Sequence, residues 1–171
     1  MSLVEEAIGT WKVFRAGTIA ELENIPEEHW DYRPDPEART LREVASHIAE
    51  FWVAFVGEIL RPDGSFMRVM NEQERAQHMA GYPKAHSKAE ILDLLRTTGE
   101  KEARRLREAG DTLATQTMKT QGGDQSRLKG LWFAIAHEMY HRGQVTVYAR
   151  SLGLVPAMTQ QTAAKMAGKA G

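Results

Sequence analysis

The chain has 171 residues, 42% of them hydrophobic and 26% charged, which is enough for one domain with a proper core and too apolar for wholesale disorder. Its formal net charge is −1 and no basic patch is interleaved with aromatics, which argues against a nucleic-acid partner. It contains no cysteine, so disulfides, thiolate nucleophiles and cysteine-held zinc are all excluded.

The opening stretch MSLVEEAIGTWKVFRAG carries Glu5 and Glu6 and lacks the apolar run of a secretory signal, so a cytoplasmic protein is expected. The longest apolar stretch, Phe51 to Val56, is far too short to span a bilayer, and no membrane partner is expected. A first helix is predicted from Leu3 to Asn24. Val4, Ile8, Trp11, Phe14, Thr18, Leu22 and Ile25 recur there at steps of three and four, and Pro26 ends the pattern. The segment HWDYRPDPEA follows as a proline-rich loop. Thr40 with Glu43 forms a capping box that opens a second helix, Leu41 to Leu60, closed by Arg61-Pro62-Asp63-Gly64.

Within FMRVMNEQERAQHM a short helix is expected, and GYPKAH reads as a turn. Ser87 with Glu90 is a second capping box. It starts a third helix, Lys88 to Ala109, stopped by Gly110. The apolar stripe of this helix is thin (Ile91, Leu94, Leu95, Leu106). Lys101, Arg104, Arg105 and Arg107 sit among Glu100, Glu102 and Glu108, the pattern of a solvated face. DTLATQTMKTQGGDQS reads as an extended connection. Asp124 or Ser126 caps a fourth helix, Arg127 to Leu152, with Gly153 past its end. After Pro156 the Ala/Met/Lys tail reads as a short helix or a frayed end. Strand signals are nearly absent. The expected fold is all-α, a four-helix bundle of the up-down type with longer crossover connections, and residues 1–171 form a single domain.

Three histidines concentrate the chemistry. His137 and His141 are four residues apart on the fourth helix, so their rings lie about 40° apart on one face and can grip one cation. Gln144, Tyr148, Gly130 and Ala134 fall on the same stripe, within about 60° of His137. His47 lies inside an apolar stripe of the second helix with Val44, Phe51, Ala54 and Glu58. Three imidazoles from two helices would form a mononuclear site with open coordination positions, which suits catalysis better than structural closure. His29, His78 and His86 fall near turns and read as surface residues.

HEMYH matches the H-E-x-x-H pattern of zinc proteases, but no acidic residue follows Glu138 and no histidine follows His141 to supply the further ligand. Glu138 could flank a metal-bound water; its plainer reading is a solvated carboxylate. A di-iron carboxylate bundle needs two Glu-x-x-His pairs, and only Glu138 to His141 supplies one, since Glu43 and His47 are four apart. Gln144 and Tyr148 are candidates to orient substrate or water, with a core hydrogen bond as the plainer role. Trp30, Tyr32 and Trp52 are candidate pocket aromatics. Gly143, mid-helix, suggests close helix approach, and Arg142 a surface or helix-pairing residue.

TLREVASHIAEFW in the second helix, AHEMYHRGQVTVYARSLG in the fourth and a Tyr32-Arg33-Pro34 loop resemble the DinB-like (DinB/YfiT) proteins. The resemblance covers most of the chain at the level of helix order and is weaker in residues 65–86 and 111–126. It implies a four-helix bundle whose metal ligands match His47, His137 and His141, binding a divalent ion, zinc or nickel most often, in a protein that is often a homodimer. It also implies an activity. One class is the metal-dependent S-transferases and isomerases that use a low-molecular-weight thiol on a small-molecule substrate, and the other is the metal-dependent hydrolases. A non-catalytic, stress-associated metal- or ligand-binding module is the alternative from a different class.

Overall fold

Side-chain capping sets where the long helices begin. A computed structural model describes residues 2–65 and 71–168. α1 (Leu3–Glu23) starts where Ser2 accepts from the Glu5 amide. α2 (Leu41–Leu60) opens on the Thr40/Glu43 box, with Thr40 Oγ1 accepting from the Glu43 amide at 3.1 Å and Glu43 returning the bond to the Thr40 amide at 2.7 Å. α3 (Glu72–Met79) opens on a third such box, Asn71 with Glu74. The short helix expected within residues 66–79 is found there, while positions 66–70 lie outside the described residues. α4 (Lys88–Ala109) uses the Ser87/Glu90 box and ends at Gly110, whose φ of 60° places it where a side chain would be strained.

The connection expected to be plainly extended is built. It holds a single turn, α5 (Thr112–Thr115), and a β-hairpin of β1 (Thr117–Thr120) and β2 (Gly123–Ser126), paired antiparallel with Thr117 opposite Ser126 and Thr120 opposite Gly123. Four-residue strands are too short for alternation to announce them, and only Met118 of the pair is buried. Ser126 caps α6 (Arg127–Ser151) by accepting from the Lys129 amide at 3.1 Å. The tail is helical, α7 (Ala157–Ala167), because a buried carboxylate on α1 caps it. Glu21 accepts from the amides of Ala157 and Met158 at 2.7 and 3.0 Å.

α1 packs against α4 and α6, and α2 packs against the same two, so α1 and α2 stand at opposite corners of a four-helix bundle. Side-chain pairs give the directions. Trp11 reaches Glu138, and Arg142 approaches Glu21, so α1 and α6 run parallel. Tyr148 reaches Arg39, and Arg127 reaches Arg61, so α2 runs against α6. Lys12 meets Glu100 and Glu23 meets Arg96, so α4 runs against α1. The four long helices therefore run up, down, down, up, with the crossover connections the helix spacing suggested. α3 lies in the longest of these and packs on α2.

The core is built around a stacked pair, Trp11 and Trp52, with ring centroids 3.8 Å apart and both side chains sealed from solvent. Such a pair adds about 0.5–1.5 kcal/mol beyond the area it buries. Trp30 is also sealed and donates to the Ile25 carbonyl at 3.2 Å. Trp30 and Trp52 are thus core residues and not pocket walls: Trp52 lies about 140° from His47 around α2, and Trp30 precedes that helix. The cationic cluster on α4 is tethered more than a freely solvated face would be. Lys101 sits 4.1 Å over the Tyr82 ring, Arg105 pairs with buried Glu102, and Arg107 pairs with Glu5. No helix among the described residues is long and apolar enough to cross a membrane.

Candidate metal centre

The pair of helices that carries the histidines is clamped at both ends. At one end the Tyr148 hydroxyl donates to the Arg39 carbonyl at 2.8 Å, just ahead of α2. At the other, the Arg127 guanidinium donates to the carbonyls of Ile59, Arg61 and Pro62. Between the clamps the antiparallel register brings His47 of α2 opposite His137 and His141 of α6. One ring nitrogen from each lies within 4.8 Å of the others. The ring centroids are 4.5 Å apart for His137 and His141, 4.7 Å for His47 and His141, and 5.3 Å for His47 and His137. Among the described residues no Asp, Glu or further His joins this group.

The rings are positioned by their neighbours. Gln144 Oε1 accepts from His141 Nδ1 at 2.7 Å, which places the proton on Nδ1 and turns the Nε2 lone pair inward. That Nε2 lies 3.2 Å from His137 Nε2. Phe51 stacks on the His137 ring at 3.7 Å and 17°, and His137 Nδ1 is buried with no hydrogen-bond partner among the described residues. Burial holds the rings neutral. It lowers the pKa of His47 and of His137 to about 4, and that of His141 falls in the same direction. The charge of Arg39 pushes the same way on all three, and that of Arg75 does so on His47. Neutral, converging imidazoles are the form that binds a divalent cation, and the His137 nitrogen that faces the group is Nε2, not the orphan Nδ1.

The other candidates separate cleanly. Gln144 orients His141, and Tyr148 spends its hydroxyl on Arg39, so both are already engaged within the chain. Glu138 is not solvated. It is 1% exposed and faces away from the histidines, accepting from Arg15 Nε at 2.8 Å, Arg15 Nη2 at 2.9 Å and Trp11 Nε1 at 2.9 Å. Arg15 in turn donates to the Leu95 carbonyl at 2.8 Å. The H-E-x-x-H match is therefore accidental here, since a residue about 100° from His137 points into the bundle rather than at the cavity. His78 is largely covered, packed on Gly57 with its Nε2 3.4 Å from Glu58, so it is not a surface histidine. Arg142 pairs helices, lying against Gly17 and 3.9 Å from Glu21. Gly143 is exposed, and a Cβ built on it meets nothing within 4 Å, so no close helix approach among the described residues explains it.

His47 also opens onto a cavity of about 970 Å³. The stripe of α2 that carries His47 lines it with Phe51, Ala54 and Glu58, and α6 contributes Gly130, Trp132 and Phe133. Helical geometry places most of these residues on the histidine stripes, one end of which faces this space, while Val44, Ala134 and Tyr148 of the same stripes stay in the core. Arg39, Arg75 and the hairpin residues that complete the lining come from connections whose placement no periodicity encodes.

Residues 4–169 match the family model described as DinB family. A DinB-like protein from Bacillus cereus has the same fold, with 23% identity and a TM-score of 0.68 over 89% of this chain and 94% of that chain. YfiT from Bacillus subtilis, described as a probable metal-dependent hydrolase with an unusual four-helix bundle topology, gives 15% identity and a TM-score of 0.63 over 88% of each chain. A variant of a mycothiol-dependent maleylpyruvate isomerase gives 12% identity and a TM-score of 0.63 over 85% of this chain and 63% of that chain. No curated protein matches the chain in sequence.

Proposed function

The chain belongs to the DinB family, and from that premise we propose that it is a metal-dependent enzyme whose His47, His137 and His141 hold a divalent ion that activates a low-molecular-weight thiol against an electrophilic small molecule. The observation that carries this reading is the convergence of three ring nitrogens within 4.8 Å, with no other protein donor in the group among the described residues. A structural site would be closed by a fourth ligand; this one leaves room for an exchangeable partner. A divalent ion on three neutral imidazoles keeps its full charge and lowers the pKa of a bound thiol or water towards neutrality.

The chain's own residues do the rest. Gln144 holds the His141 proton on Nδ1. Phe51 fixes the plane of His137. The Tyr148 and Arg127 clamps keep α2 and α6 in register, so the three nitrogens do not have to be gathered when the ion arrives. The adjoining cavity supplies space for a small-molecule substrate. The isomerase among the structural neighbours favours the thiol; YfiT favours water as the activated group, which makes hydrolysis the second reading. Zinc or nickel as the ion, a homodimer and a cytoplasmic setting belong to the same proposal.

The decisive measurement is elemental analysis of untagged protein purified without chelating resin. One equivalent of zinc or nickel is expected, and His141→Ala is expected to lose it. Unchanged metal content in that variant removes His141 from the ligand set. With the loaded protein, a panel of small thiols and an electrophile should give metal-dependent conjugation. Ester or amide hydrolysis indifferent to thiol would replace the thiol by water.

A further inference from the structure

The cavity beside His47 is chemically uneven. One wall is aromatic: Phe51 and Phe55 stack with centroids 5.0 Å apart at 26°, and Phe55 and Phe133 at 5.8 Å and 29°. This run of near-parallel rings continues into His137 through Phe51. Phe133 and Trp132 are 58% and 42% exposed although they line it. Large rings left open to water around a concave space are a common mark of a ligand site.

The rim is cationic. Arg39, Arg75 and Lys129 line the cavity, and their side chains make no hydrogen bond or ion pair among the described residues. Two carboxylates, Glu50 and Glu58, line it as well, but Glu58 is already shared between Arg61 and His78, each at 3.4 Å. Positive charge is thus in excess. Arg39 and Arg75 line the same cavity as His47. An arginine fork matches a carboxylate in shape as well as in charge.

The geometry points to this cavity as a binding site for a flat organic carboxylate, an aryl or conjugated acid whose body lies along Phe51, Phe55 and Phe133 while its anion faces Arg39 and Arg75. The inference rests on the proposed function only for what the ligand would be, the electrophilic substrate; the binding itself needs no metal. Calorimetric titration of metal-stripped protein with 2-naphthoate and with the neutral 2-naphthamide tests it. The acid should bind about tenfold more tightly than the amide, the scale of one charge-assisted hydrogen bond. In Arg39→Gln/Arg75→Gln the two affinities should converge. Phe133→Ser should weaken both ligands while keeping the preference for the acid. Equal affinities in the parent protein, no binding of either ligand, or a preference that survives the double substitution each overturns the proposal. Because the titration is metal-free, those outcomes leave the metal content of His141→Ala as an independent test of the catalytic reading.

Discussion

His137 and Glu138 are neighbours on α6, about 100° apart around its axis, and the bundle treats them in opposite ways. Glu138 turns inward and is met by a matched set of donors, two from Arg15 and one from Trp11, in a place sealed from water. His137 turns toward α2, against Phe51 and His47, where one nitrogen has no partner among the described residues and the other faces His141 across 3.2 Å. A polar group whose partners are all supplied by the chain holds the fold together. A ring nitrogen that converges with two others and meets no matched donor is available to something the chain does not supply. Burial alone therefore does not mark a site, and neither does one unmet bond, since Trp52 Nε1 and Arg127 Nε are also unpaired among the described residues; at His137 the mark is the convergence of ring nitrogens.

The contrast can be broken in several ways. The largest effect is expected at Glu138. Glu138→Leu leaves the Arg15 charge buried without an anion and should cost about 3–5 kcal/mol in urea unfolding of the metal-free protein. A loss below about 1 kcal/mol would mean that Arg15 finds water or another acceptor. His137→Ala should do the reverse, removing the bound metal while lowering metal-free stability by only about 1 kcal/mol, as partly buried positions often do. If the two variants exchange these outcomes, the division of labour on α6 is wrong.

Gln144→Leu sharpens the site half. The imidazole of His141 would lose the acceptor that sets its tautomer, and metal affinity should fall by about 10–100-fold in competition with a chelator. An unchanged affinity would reduce Gln144 to packing. The protonation of the rings gives a further check. The folded pKa values of His47 and His137 are near 4, below the 6.5 of a free imidazole, so between those values the unfolded chain binds protons that the folded chain refuses. Metal-free stability should therefore rise with pH across that window and level off above it. His47→Ala and His137→Ala should each flatten the rise. The smallest effect belongs to the outer face of the same helix. Gly143→Ala should stabilise by about 0.5–1 kcal/mol, because the site is helical, exposed and empty around a Cβ. A destabilisation there, read from the thermal midpoint, would mean that something packs on that face in solution.

Much of this was legible along the chain. The spans of α2 and α4 follow from capping boxes and Gly110, which are local devices read within a few residues. The spacing of His137 and His141 implies a shared face by helical geometry alone. The hairpin was not legible, because Thr117–Thr120 and Gly123–Ser126 are too short for alternation and stand between α5 and α6 in a polar stretch. Nor was the fate of Glu138. A carboxylate beside a histidine on an amphipathic helix looks solvated until a cation from another element meets it, and Arg15 lies 123 positions earlier.

What the sequence determined by itself is the set of rods, their caps and the residues that share a face on each, since these depend on interactions within about one helical turn. Which rods become neighbours was decided by tertiary structure. The up-down-down-up packing places α2 against α6, and thus His47 beside His137 and His141 and part of the α2 stripe over an open cavity. Burial of one face requires only that some partner cover it. The choice of partner is made by the crossovers and by the long-range clamps of Tyr148, Arg127 and Arg15, which no local periodicity contains.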